Sequence, residues 1–328
     1  MRSGTGRELR GIMQQFRETT RKIAARARDV IHRAIRERVG EESKIRIGWV
    51  RRTGSGRSRD IFAVQIDLDP DPDELSGVYV VLIPRYGPDE ALVRRTRWEA
   101  EVLVHLARQD LPFRVPIVLG ALSDGEEYVL IRGYLDGVPL DMRIGRQEGI
   151  RPWEIVGRVA AAIHRIDATS LSAGAPGWPD RIGHAREKLS SFEGLSGPEV
   201  MDALAWTRSH LPAGVPSSLV HGDLLGQNIL VHPDEPLGVI DWEYCLRGDP
   251  AYDLAIVTRG VEKPFQSEDG LDRLLDAYHE AGGHPLTATE VHFYELCLAA
   301  KWYGQAIEEG EAIDLALDRL RGVLQRVA

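Results

Sequence analysis

The chain of 328 residues carries 41 Lys and Arg against 50 Asp and Glu, a formal net charge of −9, with 43% hydrophobic and 28% charged residues. That composition excludes a fibre or a disordered chain, and the length favours two cores over one, since domains usually hold roughly 100–200 residues. No apolar run nears the roughly 18 residues that cross a bilayer, residues 1–9 lack the apolar stretch of a secretory signal, and Cys245 and Cys297 lie too far apart for a disulfide framework or a thiolate zinc site.

A cytoplasmic protein without a membrane partner is therefore expected. Residues 1–43 hold eleven Lys or Arg and six Asp or Glu, so the rest of the chain is more acidic than the whole. Within them Leu9, Ile12, Met13, Phe16, Ile23, Ala27, Val30, Ile31, Ala34 and Ile35 recur at helical spacing, which predicts one amphipathic helix. Glu8, Glu18, Asp29 and Glu37 dilute its basic face, so the expected role is docking on a lobe or dimerisation, not nucleic-acid binding. The chain is read as a monomer or homodimer.

From residue 44 the pattern turns to strands. Residues 44–50 (KIRIGWV), 60–68 (DIFAVQIDL) and 77–84 (GVYVVLIP) are β-branched and aromatic runs parted by turn residues. The acidic turn DLDPDPDEL lacks the glycine and terminal glutamate of an EF-hand loop, so it reads as a solvated turn. Residues 88–111 have helical periodicity, and strand-like segments follow at 115–122 and 127–135. After GYLDGVP the chain becomes mostly helical, as in residues 153–168 and 199–211. The reading is an α+β chain of two lobes. Residues 1–43 form an added helical segment, 44–133 an antiparallel sheet lobe with one main helix, and 134–328 a mostly helical lobe.

Chemistry concentrates in HGDLLGQN, residues 221–228, which lies between apolar SSLV and ILV and ahead of LGVIDWEY. An Asp, an Asn five residues on and a second Asp closing a hydrophobic strand form the pattern that protein kinases use for phosphoryl transfer. Here they are Asp223, Asn228 and Asp241. A carboxylate can orient an attacking hydroxyl, while an amide oxygen and a second carboxylate are the hard oxygen donors that magnesium prefers. Any one of these residues alone would read as a turn former.

The stretches VHGDLLGQNILV and GVIDWEYCLRGDPAYDLA resemble the aminoglycoside phosphotransferase family, over about residues 45–325. The resemblance implies a two-lobed, protein-kinase-like fold, with Asp223 catalytic and Asn228 and Asp241 binding Mg2+. It also implies that His221 holds the loop and Asp253 braces it from behind. ATP or GTP would be the donor, and the acceptor a hydroxyl of a small molecule, an aminoglycoside or macrolide antibiotic. By the same resemblance IRGYLD joins the lobes and offers backbone groups around Arg132 and Tyr134 to the base.

The phosphate side departs from the kinase pattern. RTGSGRSRD, residues 52–60, places glycines and hydroxyls between two strands, with Ser55 and Ser58 as candidate phosphate contacts. Kinase-like lobes place a Lys on the third strand and pair it with a helix Glu. This chain has Lys only at 22, 44, 188, 263 and 301, none of them on that strand. Glu99, with Leu103 and Leu106 one and two turns on, is the expected helix glutamate, and Arg85 the expected substitute cation. His164, on an apolar helical face, reads as a packing histidine. The acidic stretch AIEEGEAID near the C-terminus would suit a cationic acceptor. Two other readings stay open: a metabolic kinase acting on a choline-, sugar- or amino-alcohol-like acceptor, and a nucleotide-binding pseudokinase, which the missing Lys favours.

Overall fold

A computed structural model describes residues 5–55, 58–71, 74–85, 89–124, 127–167, 171 and 175–327. The chain forms two compact units, residues 1–108 with 116–135, and residues 109–115 with 136–328.

In the first unit the order is α1 (Thr5–Val39), β1 (Lys44–Ser55), β2 (Arg59–Asp69), β3 (Gly77–Pro84), α2 (Glu90–Leu106), β4 (Val118–Asp124) and β5 (Glu127–Gly133). The strands make one antiparallel sheet in the order β1-β2-β3-β5-β4. Side chains alternate along each strand, so each face collects every second residue. Phe62, Val64 and Ile66 of β2, Val81 and Ile83 of β3, and Val129 and Ile131 of β5 share one face and one core with Ala27, Val30, Ile31, Ala34 and Ile35 of α1. The later part of the expected apolar stripe, from Ile23 to Ile35, is thus a layer of this unit, while the side chains of Leu9, Ile12, Met13 and Phe16 lie outside the described residues. Removing such side chains from water is worth ~1.5–3 kcal/mol each. Helix α1 ends where Gly40 takes φ +66°, a left-handed cap open to glycine without strain, and its N–H donates to the Arg36 carbonyl at 3.0 Å. The turn after β2 is built by Asp71, whose carboxylate accepts from the N–H groups of Leu75 (2.7 Å) and Ser76 (2.8 Å). Helix α2 takes the other face of the sheet and starts at Asp89, which accepts from the Ala91 and Leu92 N–H groups.

The second unit holds β6 (Val138–Pro139), α3 (Pro152–His164), α4 (Arg181–Lys188), α5 (Pro198–Ser209), β7 (Ser218–Val220), β8 (Ile229–Val231), β9 (Gly238–Val239) and β10 (Leu246–Gly248). Four further helices follow: α6 (Pro250–Thr258), α7 (Gly270–Glu280), α8 (Ala288–Glu309) and α9 (Ile313–Val327). Its short strands pair as β10-β7 and β6-β8-β9, two small antiparallel ladders in a helical body. Helices α3 and α7 meet at Gly157, where a Cβ would lie 2.8 Å from the Tyr278 nitrogen, so a larger residue would push the backbones apart. Helix α8 opens on a reciprocal cap between Thr287 and Glu290 and buries Phe293, Tyr294, Leu296 and Cys297. Among the described residues no helix is long and apolar enough to cross a membrane.

Candidate active site

Strand β7 delivers the chain to His221, and the loop that follows is tied down by a buried carboxylate. Asp253, on α6 and wholly buried, accepts from the His221 N–H at 2.7 Å and the Gly222 N–H at 2.8 Å. His164 closes on the same carboxylate from α3, with Nε2 at 3.0 Å from Asp253 and Nδ1 at 2.9 Å from the Tyr278 hydroxyl. Burial alone would raise the Asp253 carboxyl, yet the His164 hydrogen bond and charge, with His221, hold it below the usual carboxylate range. Gly222 turns at φ +78°, where a Cβ would sit 2.2 Å from the Tyr244 carbonyl oxygen.

His221 works in both directions. Its Nδ1 accepts from the Asp223 N–H at 3.2 Å, and its Nε2 lies 3.0 Å from the carbonyl of Ile240, the residue before Asp241. One buried ring therefore couples the loop to the strand end that carries the second aspartate. A 3-10 turn, Gly226–Asn228, then brings Asn228 back, and its Nδ2 donates to the Asp223 carbonyl (2.8 Å) and carboxylate (3.0 Å). Asn228 is bonded through its nitrogen, so its amide oxygen is the atom left for a cation. The Ile240 N–H donates to the Asn228 carbonyl at 2.9 Å, which draws the two ends of the motif together. Asp241 stands at φ +69°, ψ +57°, a left-handed conformation that Asp tolerates better than most residues.

Burial pushes the Asp223 carboxyl up to about 6, reinforced by the charges of Asp241, Asp253 and Glu243 and opposed by the Asn228 hydrogen bond. Such a gathering of negative charge calls for a cation. Among the described residues no group of three His, Cys, Asp or Glu could hold a metal. The oxygens of Asn228 and Asp241 could serve as two of the hard donors for magnesium shared with a nucleotide's phosphates.

The first unit rearranges the expected phosphate side. Glu99 is fully buried on α2, and its partners are Arg59 of β2 (2.7 Å) and Arg132 of β5 (3.2 Å). Arg59 also donates to the Thr96 hydroxyl at 2.9 Å. Arg85 is not the glutamate's partner; its guanidinium lies 3.1 Å from Asp60, which Arg52 also binds. The reason is the alternation of the sheet. Asp60 stands across from Ile83 on the face of α1, whereas Arg59, Leu82, Leu130 and Arg132 lie on the face of Glu99. Leu82 occupies the centre of that second face, and arginines from the flanking strands reach the carboxylate around it.

Sequence reading missed Arg59, although the alternation of Phe62, Val64 and Ile66 already placed it opposite the apolar face. Arg132 spends its side chain on Glu99, and the N–H groups of Gly133 and Tyr134 donate to the carbonyls of Ile117 (2.8 Å) and Val78 (2.9 Å). Those two N–H groups are thus committed within the unit. The Tyr134 side chain is exposed. Ser58 is half-buried, and its carbonyl accepts from the Arg85 N–H at 2.9 Å. Gly56, Arg57 and the Ser55 side chain lie outside the described residues, and with them most of the expected phosphate loop.

A homoserine kinase from Granulibacter bethesdensis is 28% identical over 235 residues, covering 68% of each chain. Viomycin phosphotransferase from Streptomyces vinaceus is 29% identical over 184 residues, 51% of this chain and 63% of the relative. Mouse acyl-CoA dehydrogenase family member 10 is 31% identical over 173 residues, 48% of this chain, which there spans only 16% of the relative's length. Among solved structures, macrolide 2'-phosphotransferase MphH from Brachybacterium faecium superposes with TM-score 0.60 at 23% identity, covering 88% of this chain and 96% of its own. Aminoglycoside phosphotransferase APH(4)-Ia gives 0.63 at 15% identity, covering 91% and 98%. The fold is therefore kinase-like. The profile of the phosphotransferase enzyme family matches residues 49–292, which takes in Asp223, Asn228, Asp241 and Asp253, and the chain belongs to that family of phosphate-transferring enzymes.

Proposed function

We propose that the protein transfers the γ-phosphoryl group of ATP or GTP to a hydroxyl of a small molecule. The observation that carries this is the Asp223–Asn228 contact, in a loop that His221 and Asp253 hold rigid on the end of β7. Asp223 orients the acceptor hydroxyl and takes its proton as the oxygen bonds to phosphorus and the bond to the β–γ bridging oxygen breaks. The nucleoside diphosphate leaves. Asn228 and Asp241 would hold Mg2+, which supplies charge neutralisation for the phosphates when bound.

Positioning and charge neutralisation carry most of the acceleration in such a loose transition state. Arg59, paired to Glu99 as a strand Lys is in protein kinases, is therefore assigned the phosphate-side cation in place of Arg85. Arg59 and Arg132 both pair with Glu99, so two guanidinium groups meet at one carboxylate on that face. Arg is not equivalent to Lys there, because its planar fork fixes the direction of each N–H.

Two acceptor classes have named relatives, antibiotics through viomycin phosphotransferase and metabolites through the homoserine kinases. Incubation with ATP or GTP, Mg2+ and a panel of both, read by mass spectrometry, is expected to show addition of one phosphoryl group to at least one compound. Nucleotide binding with no transfer, either to an acceptor or to water, would return weight to a pseudokinase.

A further inference from the structure

Beside the catalytic loop, within the second unit, lies a cavity of about 330 Å³. Part of its wall is Leu225, Gly226 and Gln227, the three residues directly before Asn228. The rest comes from residues 140, 142, 143, 257–259, 261 and 263–266, with an apolar surface from Leu140, Met142, Val257 and Phe265. Among the described residues its charged lining is Arg143, Arg259 and Lys263, with no Asp or Glu. The volume is at the small end for ligand sites, which run from roughly 300 to 1,000 Å³.

The cations differ in their commitments. Asp141 holds Arg143 through Nε (2.9 Å) and Nη2 (2.6 Å), and Glu268 holds Lys263. Arg259 instead stands over the Trp302 ring, 5.9 Å from its centroid, and Arg319 stands over the same ring at 5.0 Å. The wall is also strained. Of the six described non-glycine residues with positive φ, Arg259, Phe265 and Gln266 line this cavity and a fourth is Asp241. Each such conformation costs on the order of 1–3 kcal/mol and persists where the surroundings impose it, as they do at ligand sites. The acidic stretch at residues 306–314, expected to attract a cationic acceptor, is not part of this wall.

We propose that this cavity takes the acceptor, and that the acceptor is a compact hydroxyl compound bearing a carboxylate. The inference rests on the phosphotransferase reading above. Arg259, with Arg143 and Lys263, holds the acid group, and the hydroxyl end meets the loop that carries Asp223. The acceptor oxygen bonds to the γ-phosphorus, its proton passes to Asp223 and the nucleoside diphosphate departs. A polycationic aminoglycoside would bring like charge to Arg259, the lining cation whose partner is an aromatic ring and not a carboxylate.

The test compares L-homoserine and 4-hydroxybutyrate with their amides, and both with kanamycin and hygromycin B, in ATP- or GTP-dependent diphosphate release. Calorimetric binding of the two acids to wild type and to Arg259→Gln runs in parallel. At least one acid should react with kcat/KM tenfold or more above its amide and above either antibiotic. Arg259→Gln should weaken binding of that acid about tenfold, the scale of one charge-assisted hydrogen bond. Amides matching acids, antibiotics reacting better than both, or acids neither binding nor reacting would overturn the proposal. Failure of the phosphotransferase reading looks different: nucleotide and acid both bind, the acid site still depends on Arg259, and no phosphoryl group leaves ATP or GTP.

Discussion

Asp223 and Asp253 are carboxylates meeting the same loop, and their surroundings give them opposite tasks. Asp253 is saturated by two backbone N–H groups and His164, so it positions; Asp223 is touched by a single side-chain amide and is only partly buried, so it remains available to a hydroxyl. Asp223→Asn keeps the shape and removes the charge. Turnover should fall roughly 10²-fold or more with nucleotide binding retained, measured by single-turnover assays beside nucleotide titration. On the phosphate side, Arg59→Ala should raise the nucleotide KM about tenfold, with partial recovery in Arg59→Lys. Arg85→Ala, which breaks a pair on the opposite face, should change it less, and the reverse ranking would return the assignment to Arg85. The HGD and IDWE motifs were legible in sequence because their chemistry needs residue types at fixed spacing. The choice between Arg59 and Arg85 was only half legible: alternation set Arg59 opposite the apolar face, but that α2 brings Glu99 to that face is a matter of packing.

At the scale of elements, α1 illustrates how a periodic stripe can be read while its importance is not. The stripe predicted a docked helix, and Val30, Ile31 and Ile35 lie fully buried against the sheet. Ile31→Ala should therefore cost ~2–5 kcal/mol in urea denaturation, a large-to-small change in a packed core. Deleting residues 1–40 should leave a sheet with one bare apolar face and a protein that aggregates before any change in chemistry can be read. Gly157→Ala tests the α3–α7 contact in the same way. With Tyr278 nitrogen 2.8 Å from the new Cβ, the melting temperature should drop, and the His164–Tyr278 pair that backs Asp253 should loosen with it.

For the whole molecule, acid stability is set in part by His184. The ring packs on Trp178 at 5.0 Å between centroids, and its Nδ1 accepts from the Asp249 N–H at 2.9 Å, a bond that needs the neutral ring. Burial, with Lys188 nearby, pushes its pKa down to about 3. The unfolded chain then binds a proton that the folded chain refuses, from about pH 6.5 down to about 3. Stability should fall as pH drops through that window, by up to ~1.4 kcal/mol per pH unit from this group. Urea titrations from pH 7 to 4 measure the slope, and His184→Phe should flatten it.

The sequence by itself determined the two-unit α+β plan and the phosphate-transferring family, because periodicity and motif spacing are local and survive without neighbours. Only the tertiary structure decided which arginines meet Glu99, that His164 and Asp253 share one hydrogen-bond network, and that three cations line the cavity beside the loop. Each of these joins residues tens of positions or more apart in the chain, and no local rule reports which side chains a pleat, a helix crossing or a left-handed turn will bring together.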